Sequence, residues 1–251
     1  MAIKNNKSLG QHWLKNRFIL DDIADAAVAE DVTHCLEIGP GLGTLTSSLL
    51  RRFDKVTAVE FDENLAKNLP KSFPGKNLEV INADFLKFDL ETVAAPYSIA
   101  GNSPYYITSP IIEKILRAAN RPAKVVLLIQ KEVAERIAAA DGHQSVLSLF
   151  VQNRADVELG YVVKKDEFTP PPKVDSEFII LTPKEPEIKE EIFNLIKRGF
   201  SSPRKKLIAN LAGEKSREEL KTIFQKININ EDARPADLNL KDWERLSEFM
   251  V

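Results

Sequence analysis

The stretch that decides the fold is Thr33-His34-Cys35-Leu36-Glu37-Ile38-Gly39-Pro40-Gly41-Leu42-Gly43. Its first six residues, which include the apolar Cys35, Leu36 and Ile38, predict a buried strand, and three glycines follow at alternate positions. Glycine accepts the left-handed backbone angles of a tight turn and lets a ligand come close to the strand end. The following residues, 44–52, have the apolar spacing of a helix. We interpret this stretch as the first strand, turn and helix of an α/β domain that binds a nucleotide-like ligand.

Short apolar runs alternate with helical patterns on both sides of this stretch. Strands are predicted at 55–59, 78–82, 97–101 and 124–129, and helices at 21–29, 63–69 and 109–119. This alternation predicts an α/β fold with a parallel, doubly wound sheet, whose ligands lie at the carboxyl ends of the strands. Candidate ligand contacts stand at four successive strand ends: Gly39, Glu60, Asp84 and Asn102.

The character of the sequence changes after Pro183. A chain of 251 residues with 43% hydrophobic content can bury one large core and a smaller one. An antiparallel pair of strands, 157–163 with 177–182, is expected to close the sheet. Charged helical patterns then follow near 187–200, 203–212, 217–227 and 240–250. We therefore expect a sheet domain at 1–183 and a small C-terminal helical domain at 184–251.

The glycine turn favours a ligand without phosphate. Dinucleotide-binding turns have the spacing G-x-G-x-x-G, but here the third glycine comes one residue early and Pro40 removes an amide donor. S-adenosylmethionine is such a ligand; Gly39 and Gly41 would lie against it, Glu60 suits its ribose hydroxyls, and Asp84 suits its adenine amino group. A nicotinamide dehydrogenase remains an alternative that rests on the turn and Glu60 alone.

The segment Asn102-Ser103-Pro104-Tyr105 suits an exocyclic amino group on a planar base. The Asn102 side-chain oxygen and a backbone carbonyl held by Pro104 can accept the two amine hydrogens, while Tyr105 offers a ring for stacking. Phe168 is expected to close the other side of the base. Beside a methyl donor, this arrangement predicts in-line methyl transfer to the amine, assisted mainly by positioning.

Charge is unevenly distributed although the net charge is only −2. A basic amino-terminal segment that includes Lys7 and a second basic cluster at Arg204, Lys205 and Lys206 predict local contacts with RNA phosphates. Solvated surface faces are the competing interpretation of both clusters. The one cysteine and three histidines form no metal-ligand pattern, so no metal is expected. With no apolar run near the roughly 18 residues needed to span a bilayer, and no signal peptide, we expect a cytoplasmic protein.

Five segments in order resemble signatures of one family: Lys7-Ser8-Leu9-Gly10-Gln11-His12-Trp13-Leu14, Glu37 to Gly43, Asn102 to Tyr105, Gln130-Lys131-Glu132-Val133, and Phe168 to Ser176. The chain thereby resembles the ribosomal RNA adenine dimethyltransferases over nearly its whole length. The last segment resembles the bacterial small-subunit enzymes, the KsgA family, more than the macrolide-resistance methyltransferases, which act on large-subunit RNA and remain an alternative.

This resemblance implies a Rossmann-like class I methyltransferase sheet with a small C-terminal helical domain. The implied reaction converts two adjacent adenosines in a hairpin near the 3′ end of 16S rRNA to N6,N6-dimethyladenosine, using S-adenosyl-L-methionine. The implied partner is 16S rRNA within the immature small ribosomal subunit, and the protein is expected to be a monomer. A ribosome-assembly factor whose binding outweighs its catalysis is the alternative from another functional class.

By resemblance, His12 and Leu14 of the amino-terminal segment are cofactor contacts, followed by Gly39, Glu60, Asp84 and Asn102. Two positions depart from the family pattern, since the family commonly has Asn at the position of His12 and Leu or Ile at that of Ser103. Contact through the His12 backbone is therefore expected to persist rather than contact through its side chain. Ser202 to Lys206 keeps the basic character of an early helix of the family's second domain but lacks its Gln-Arg-Arg opening.

Overall fold

A computed structural model describes residues 12–102, 105–139, 142–213 and 215–250 of the chain. The chain folds into two compact units, the first comprising Met1–Ala134 with Asp156–Pro183 and the second Glu135–Ala155 with Lys184–Val251. Within the described ranges, no helix combines the length and apolar character that crossing a bilayer requires.

The first unit is built on a seven-stranded sheet. The strands of the described residues are β1 (Trp13–Leu14), β2 (His34–Ile38), β3 (Lys55–Glu60), β4 (Leu78–Asn82), β5 (Tyr97–Gly101), β6 (Lys124–Gln130), β7 (Ala155–Val163), β8 (Phe168–Thr169) and β9 (Ser176–Pro183). The sheet order is β4-β3-β2-β5-β6-β9-β7. Strands β2 to β6 pair in parallel, whereas β9 is antiparallel to β6. This architecture confirms the predicted α/β class.

α-Helices lie between β2 and β3, between β3 and β4, and between β5 and β6, as the alternating pattern predicts. The helices of the described residues are α1 (Arg17–Ala26), α2 (Thr44–Leu49), α3 (Glu63–Asn68), α4 (Thr108–Arg117), α5 (Lys131–Ile137), α6 (Val146–Gln152), α7 (Ile192–Gly199), α8 (Leu207–Leu211), α9 (Arg217–Lys226) and α10 (Leu240–Met250). Helix α1 begins four residues before the predicted Asp21, because the Asn16 side chain accepts a hydrogen bond from the Phe18 amide and caps it.

The strand order places a crevice at the centre of the sheet. From β2 the chain proceeds to β3 and β4 on one side, and then returns to β5 on the other side of β2. Every residue of β2 and β5 is buried, so these two strands form the middle of the core. The strand order therefore reverses between β2 and β5. Where the strand order of a parallel sheet reverses, a ligand crevice opens at the carboxyl ends of the two strands. In this chain the crevice lies beyond Ile38 and Gly101.

A two-stranded sheet, which was not predicted from the sequence, brings Trp13 and Leu14 onto the proline-rich loop, residues 168–175. Strands β1 and β8 are antiparallel, with Trp13 opposite Thr169 and Leu14 opposite Phe168. The Lys15 amide extends the contact by donating to the Glu167 carbonyl at 3.2 Å. Strands of two residues are too short to show a periodic pattern, so only the folded chain reveals this pairing.

The second unit contains a segment that the sequence-based division placed in the first. Helix α6 packs on α7 through an edge-to-face contact of Phe150 with Phe193, whose ring centroids are 5.8 Å apart. The Asn153 side chain donates to the Ile188 carbonyl and accepts from the Ile188 amide, at 3.1 and 2.8 Å. These contacts bind Glu135–Ala155 to the helices after Pro183, which a boundary drawn from composition alone could not reveal.

Candidate active site

A cavity of about 290 Å³ opens at the carboxyl ends of the parallel strands. Its walls come from the loops after β2, β3, β4 and β5, together with the segment around β1. The predicted site residues on its walls are His12, Gly39, Gly41, Glu60, Asp84, Asn102 and Tyr105. The cavity therefore brings together residues of both predicted half-sites, the cofactor turn and the acceptor segment.

The glycine turn after β2 is a strained backbone segment that only glycine accommodates well. Gly41 has φ +58°, and a Cβ there would lie 3.2 Å from the Trp13 indole nitrogen. Gly43 has φ +82°, and a Cβ there would lie 2.6 Å from a Leu69 methyl group. Both the backbone angles and the close neighbours exclude larger side chains at these two positions.

The amides of this turn are already engaged inside the protein. Gly39 donates to the Val59 carbonyl at 3.0 Å, and Gly43 donates to the Pro40 carbonyl at 2.9 Å. Gly41 donates to a Glu60 carboxylate oxygen at 3.0 Å. A turn that cradles a pyrophosphate presents such amides to the ligand instead. The geometry thus favours a ligand without phosphate, as the glycine spacing predicted.

Glu60 ends β3 with a buried carboxylate fixed by two backbone donors. One oxygen accepts from Gly41, and the other accepts from the Asp62 amide at 2.8 Å. Burial raises the pKa of Glu60, and the two backbone hydrogen bonds oppose that rise. Since each carboxylate oxygen can accept a further hydrogen bond, the side chain is ready to bind a pair of hydroxyl groups.

Glu37 is a second buried acid on the cavity wall, and no role for it was predicted from the sequence. It is 1% exposed, and one of its oxygens accepts from the Thr46 hydroxyl at 2.6 Å. Burial raises the pKa of Glu37 to about 8, and the nearby Glu60 charge acts in the same direction. An acidic residue inside an apolar strand was the available sequence signal.

The third wall acid, Asp84, follows β4 and caps its own turn. One of its oxygens accepts from the Leu86 amide at 3.0 Å, which leaves the other oxygen for a ligand. The exposed ring of Phe61, next to Glu60, also lines the cavity. The available sequence signal was an aromatic residue directly after a predicted strand end.

The cavity wall carries acidic side chains and no basic ones. Glu37, Glu60 and Asp84 line it, whereas no lysine or arginine of the described residues does. Because burial keeps Glu37 largely protonated, Glu60 and Asp84 are the wall carboxylates that oppose an anionic ligand and favour a cationic one. Within the part of the chain that the structure describes, no three His, Cys, Asp or Glu side chains are grouped so that they could hold a metal ion.

Asn102 follows β5 with its amide group held in one orientation. Its Nδ2 donates to the His12 backbone carbonyl at 3.2 Å. Because a carbonyl oxygen only accepts hydrogen bonds, the nitrogen end of the amide must face His12. The Asn102 oxygen therefore remains available as an acceptor on the cavity wall.

The Tyr105 ring is held at its hydroxyl and lies beside a second ring. Its hydroxyl is 2.6 Å from the Ser176 hydroxyl in β9. Burial raises the pKa of Tyr105. The His12 ring lies nearly parallel to it, with an interplanar angle of 16° and ring centroids 6.2 Å apart. Tyr106, the next residue, is 66% exposed and also lines the cavity.

Two predicted site residues lie in the hydrophobic core rather than on the cavity wall. Phe168 is 2% exposed and Leu14 is fully buried, and both belong to the same core cluster. They stand opposite each other in the β1–β8 pair, and the side chains of such opposed residues lie on the same face of the sheet. In this arrangement Phe168 is a packing residue and does not form the second wall of a base pocket.

Three other predicted positions, Lys7, Ser103 and Pro104, lie outside the described residues. The basic cluster Arg204, Lys205 and Lys206 belongs to the second unit and precedes α8 rather than lying inside a helix from 203. All three side chains are exposed, but Lys206 forms an ion pair with Asp232. Arg204 and Lys205 have no ion pair with any described residue.

Comparison with known sequences places the chain in one family over its whole length. The family described as ribosomal RNA adenine dimethylase matches residues 2–251. A ribosomal RNA small subunit methyltransferase A from Nostoc is 38% identical over 267 residues, which cover 99% of this chain and 98% of the relative. One from Acaryochloris marina is 39% identical over 257 residues, 96% of each chain.

Solved structures show the same relationship. A dimethyladenosine transferase from Plasmodium falciparum has a TM-score of 0.79 at 30% identity, covering 94% of this chain and 96% of its own. The 23S rRNA methyltransferase ErmE has a TM-score of 0.77 at 29% identity, covering 95% and 99%. The resemblance inferred from the ordered motifs is confirmed. The chain belongs to the ribosomal RNA adenine dimethylase family, a family of S-adenosylmethionine-dependent methyltransferases.

Proposed function

We propose that the protein dimethylates N6 of two adjacent adenosines in a hairpin near the 3′ end of 16S rRNA, within the immature small ribosomal subunit. It is proposed to act in the cytoplasm as a monomer. The observation that carries the chemistry is the orientation of Asn102, whose Nδ2 is committed to the His12 carbonyl. This leaves its oxygen as an acceptor beside the cavity, where an amine hydrogen can bind.

The acidic cavity supports S-adenosylmethionine as the methyl donor. When bound, this cofactor supplies a methyl group on a cationic sulfonium. Glu60 would hold the ribose hydroxyls with the free acceptor positions of its fixed carboxylate, and Asp84 would accept from the adenine amino group. Gly39 and Gly41 would form the floor beneath it, and the His12 backbone is proposed to complete the contact. The exposed Phe61 ring offers an apolar face to the adenine.

On the acceptor side, the lone pair of the adenine N6 nitrogen is delocalised into the purine ring. The protein must therefore make this lone pair available for attack on the methyl group. The Asn102 oxygen would accept one amine hydrogen, and the backbone carbonyl expected before Pro104 would accept the other. Two acceptors favour a pyramidal nitrogen, which directs its lone pair toward the methyl carbon. As the nitrogen–carbon bond forms, the carbon–sulfur bond would break with its electron pair left on sulfur as a neutral thioether, and the methylated nitrogen would release one proton to solvent. Rate enhancement by such alignment comes from proximity and orientation, so no strong base is required.

Tyr105 would hold the target base by stacking. Its hydroxyl contact with Ser176 holds the outer end of the ring. Stacking contributes roughly 1 to 3 kcal/mol per base, which is comparable with the few kcal/mol needed to unstack a nucleotide. The exposed Tyr106 ring provides a further apolar surface at the cavity for RNA.

The RNA backbone is proposed to contact basic side chains of the second unit. Arg204 and Lys205 are exposed and form no ion pair with a described residue, so they are the stronger candidates. Lys206 would have to break its ion pair with Asp232 before it could bind a phosphate. Lys7 is proposed to add a contact from the amino-terminal segment. Replacing Arg204 and Lys205 with alanine should flatten the salt dependence of RNA binding by roughly one unit per lost contact. An unchanged slope would assign them to a solvated face.

The substrate is best tested with undermodified small ribosomal subunits and labelled S-adenosylmethionine. Mass spectrometry of nuclease fragments should find N6,N6-dimethyladenosine at two adjacent positions in 16S rRNA. Label in 23S rRNA, the substrate named for the structural relative ErmE, would assign the other substrate class. Tight binding to subunits without any transferred label would instead indicate an assembly factor, and label on another base would reject the proposal.

A further inference from the structure

We infer that His12 is a positioning residue, which holds Asn102 and Tyr105 in the arrangement that methyl transfer requires. The inference rests on the proposed function and deepens it, because it assigns to the His12 side chain a role on the acceptor side rather than at the cofactor. Three contacts of this one residue carry it, and each involves a different segment of the first unit.

The first contact fixes the acceptor amide. The His12 backbone carbonyl accepts a hydrogen bond from Asn102 Nδ2 at 3.2 Å, and the two residues are 90 apart in sequence. A primary amide has an acceptor oxygen at one end and a donor nitrogen at the other. If the Asn102 nitrogen faced the substrate, it would offer hydrogens to an amine whose own hydrogens need acceptors. The position of the His12 backbone therefore decides which end of the Asn102 amide faces the substrate.

The second contact anchors that backbone from the side chain. His12 Nδ1 lies 2.7 Å from the Pro170 carbonyl, and since a carbonyl only accepts, Nδ1 carries the hydrogen. The bond joins residues 158 apart in sequence and continues the β1–β8 pairing of Trp13 with Thr169. With its donor nitrogen committed to Pro170, the side chain is engaged in positioning rather than in donating to a cofactor.

The third contact limits the movement of the stacking ring. The His12 imidazole lies alongside Tyr105 at an interplanar angle of 16°, while Ser176 holds the Tyr105 hydroxyl at 2.6 Å. A ring held only at its hydroxyl could still rotate about its long axis. The neighbouring parallel ring opposes that rotation, because tilting Tyr105 would bring its edge toward the imidazole.

Three substitutions separate these contributions. His12→Asn keeps an N–H donor near the place of Nδ1 but removes the ring. His12→Phe keeps a ring but removes the donor, and His12→Ala removes both. His143→Ala is the matched control, since His143 is exposed and lies in the second unit. For each variant, kcat and KM for transfer to undermodified subunits are measured, together with calorimetric affinity for S-adenosylmethionine and the thermal unfolding midpoint.

We expect His12→Ala to lower kcat about tenfold or more at saturating cofactor, with a change below about threefold in cofactor affinity. His12→Asn should recover most of the lost kcat through its donor, and His12→Phe should recover less. The unfolding midpoint should stay close to that of the wild type in all three, and His143→Ala should match the wild type throughout.

Three results would overturn the inference. One is a kcat for His12→Ala within twofold of the wild type. Another is a loss confined to cofactor affinity, because that would make His12 a cofactor ligand. The third is an Asn variant as impaired as the Ala variant, because the Pro170 bond would then contribute nothing. Failure of the proposed function is distinct from all of these, since it would appear as absence of adenine N6 methylation by the wild-type protein.

Discussion

The two sides of the cavity are assembled in different ways. On the cofactor side, Gly41 donates to Glu60 across 19 residues and Thr46 donates to Glu37 across 9. On the acceptor side, His12 reaches Asn102 across 90 residues and Pro170 across 158. The cofactor side is thus made within successive strand and helix units, whereas the acceptor side depends on distant segments meeting.

This difference predicts that methyl transfer and cofactor binding can be lost independently of each other. Contacts within a βα unit form together with the sheet and are supported by its buried strands. Contacts between an amino-terminal segment, the end of β5 and a proline-rich loop depend on each of those segments docking correctly. Substitutions on the acceptor side should therefore reduce transfer while leaving cofactor affinity largely intact, and those on the cofactor side should do the reverse.

The largest effect is expected for Asn102→Ala. Removing the acceptor oxygen should lower kcat about 100-fold or more, by analogy with the loss of one positioned hydrogen-bonding group from other active sites. Cofactor affinity should change by less than about fivefold, because the Glu60 carboxylate is fixed independently by Gly41 and Asp62. Single-turnover transfer to undermodified subunits and calorimetry measure the two quantities.

Asn64→Ala supplies the control for that variant, since Asn64 is an exposed residue of α3. Equal losses of transfer and of cofactor binding in Asn102→Ala would break the comparison between the two sides. Retained binding of subunits without transfer would also give a means to separate an assembly role from catalysis.

Glu60→Gln should produce the opposite pattern. Its new NH2 group would face the amide of Gly41 or Asp62, and a ribose hydroxyl would lose a charged acceptor. Since hydrogen bonds to charged groups contribute about 1.5 to 3 kcal/mol, calorimetry should show cofactor affinity weakened roughly 10- to 100-fold. At saturating cofactor, kcat should remain within a few-fold of the wild type.

The pH dependence of that affinity offers a second measurement. Because burial raises the pKa of Glu60, its carboxylate should become protonated at a higher pH than an ordinary glutamate on acidification. As the pH falls through the raised pKa of Glu60, the affinity of the wild-type protein for the cofactor should weaken. The Glu60→Gln variant has no carboxylate to protonate at this position, so its affinity should not show this transition. Glu158→Gln, at an exposed position of β7, is the matched control. A fall in kcat without a change in affinity would contradict the assignment of Glu60 to the cofactor.

A smaller effect is expected for Ser176→Ala on the acceptor side. The Tyr105 hydroxyl would lose its 2.6 Å partner, and we expect kcat to fall about three- to tenfold while cofactor affinity stays unchanged. Tyr105→Phe removes the same bond from the other side, so the double variant should be no worse than the more impaired single variant. Additive losses would show that the two hydroxyls act independently. Ser201→Ala, an exposed residue of the second unit, is the control.

The same contrast explains what the sequence could predict. The strands β2 to β6 and the positions of Glu60 and Asp84 follow from local apolar patterns and strand ends, which need only neighbouring residues. The glycine turn also carries its own backbone requirement at Gly41 and Gly43. These features could be predicted because the information lies within one or two consecutive elements.

Features that depend on tertiary contacts were not predictable in this way. Phe168 was expected at the base pocket, but pairing of β8 with β1 turns it into the core beside Leu14. The link from His12 to Pro170 leaves no pattern in the sequence, because a lone histidine has many equally plausible environments. Residues 135–155 joined the second unit through Asn153 and Phe150, whose partners come after Pro183.

The last prediction concerns the stability of the cofactor side rather than its activity. Burial raises the pKa of Glu37 to about 8, whereas an unfolded glutamate has a pKa of 4.5. Below the lower value both states are protonated, and above the higher value both are ionised. Between them the folded state holds one more proton than the unfolded state, so stability falls as pH rises, by at most about 1.4 kcal/mol per pH unit.

Glu37→Gln removes this titration while retaining an acceptor oxygen for Thr46. Urea unfolding of the cofactor-free protein at pH 5, 6.5 and 8 should therefore show a flatter pH dependence for the variant, which gains most over the wild type at pH 8. Glu30→Gln, at an exposed position, should follow the wild-type curve. Parallel curves for Glu37→Gln and the wild type would mean that Glu37 is already ionised in the folded protein. The buried negative charge of Glu37 would then need a positive charge close by in the cavity. The stability of the cofactor side would depend on the bound cationic cofactor, as the arrangement of the acceptor side depends on contacts between distant segments.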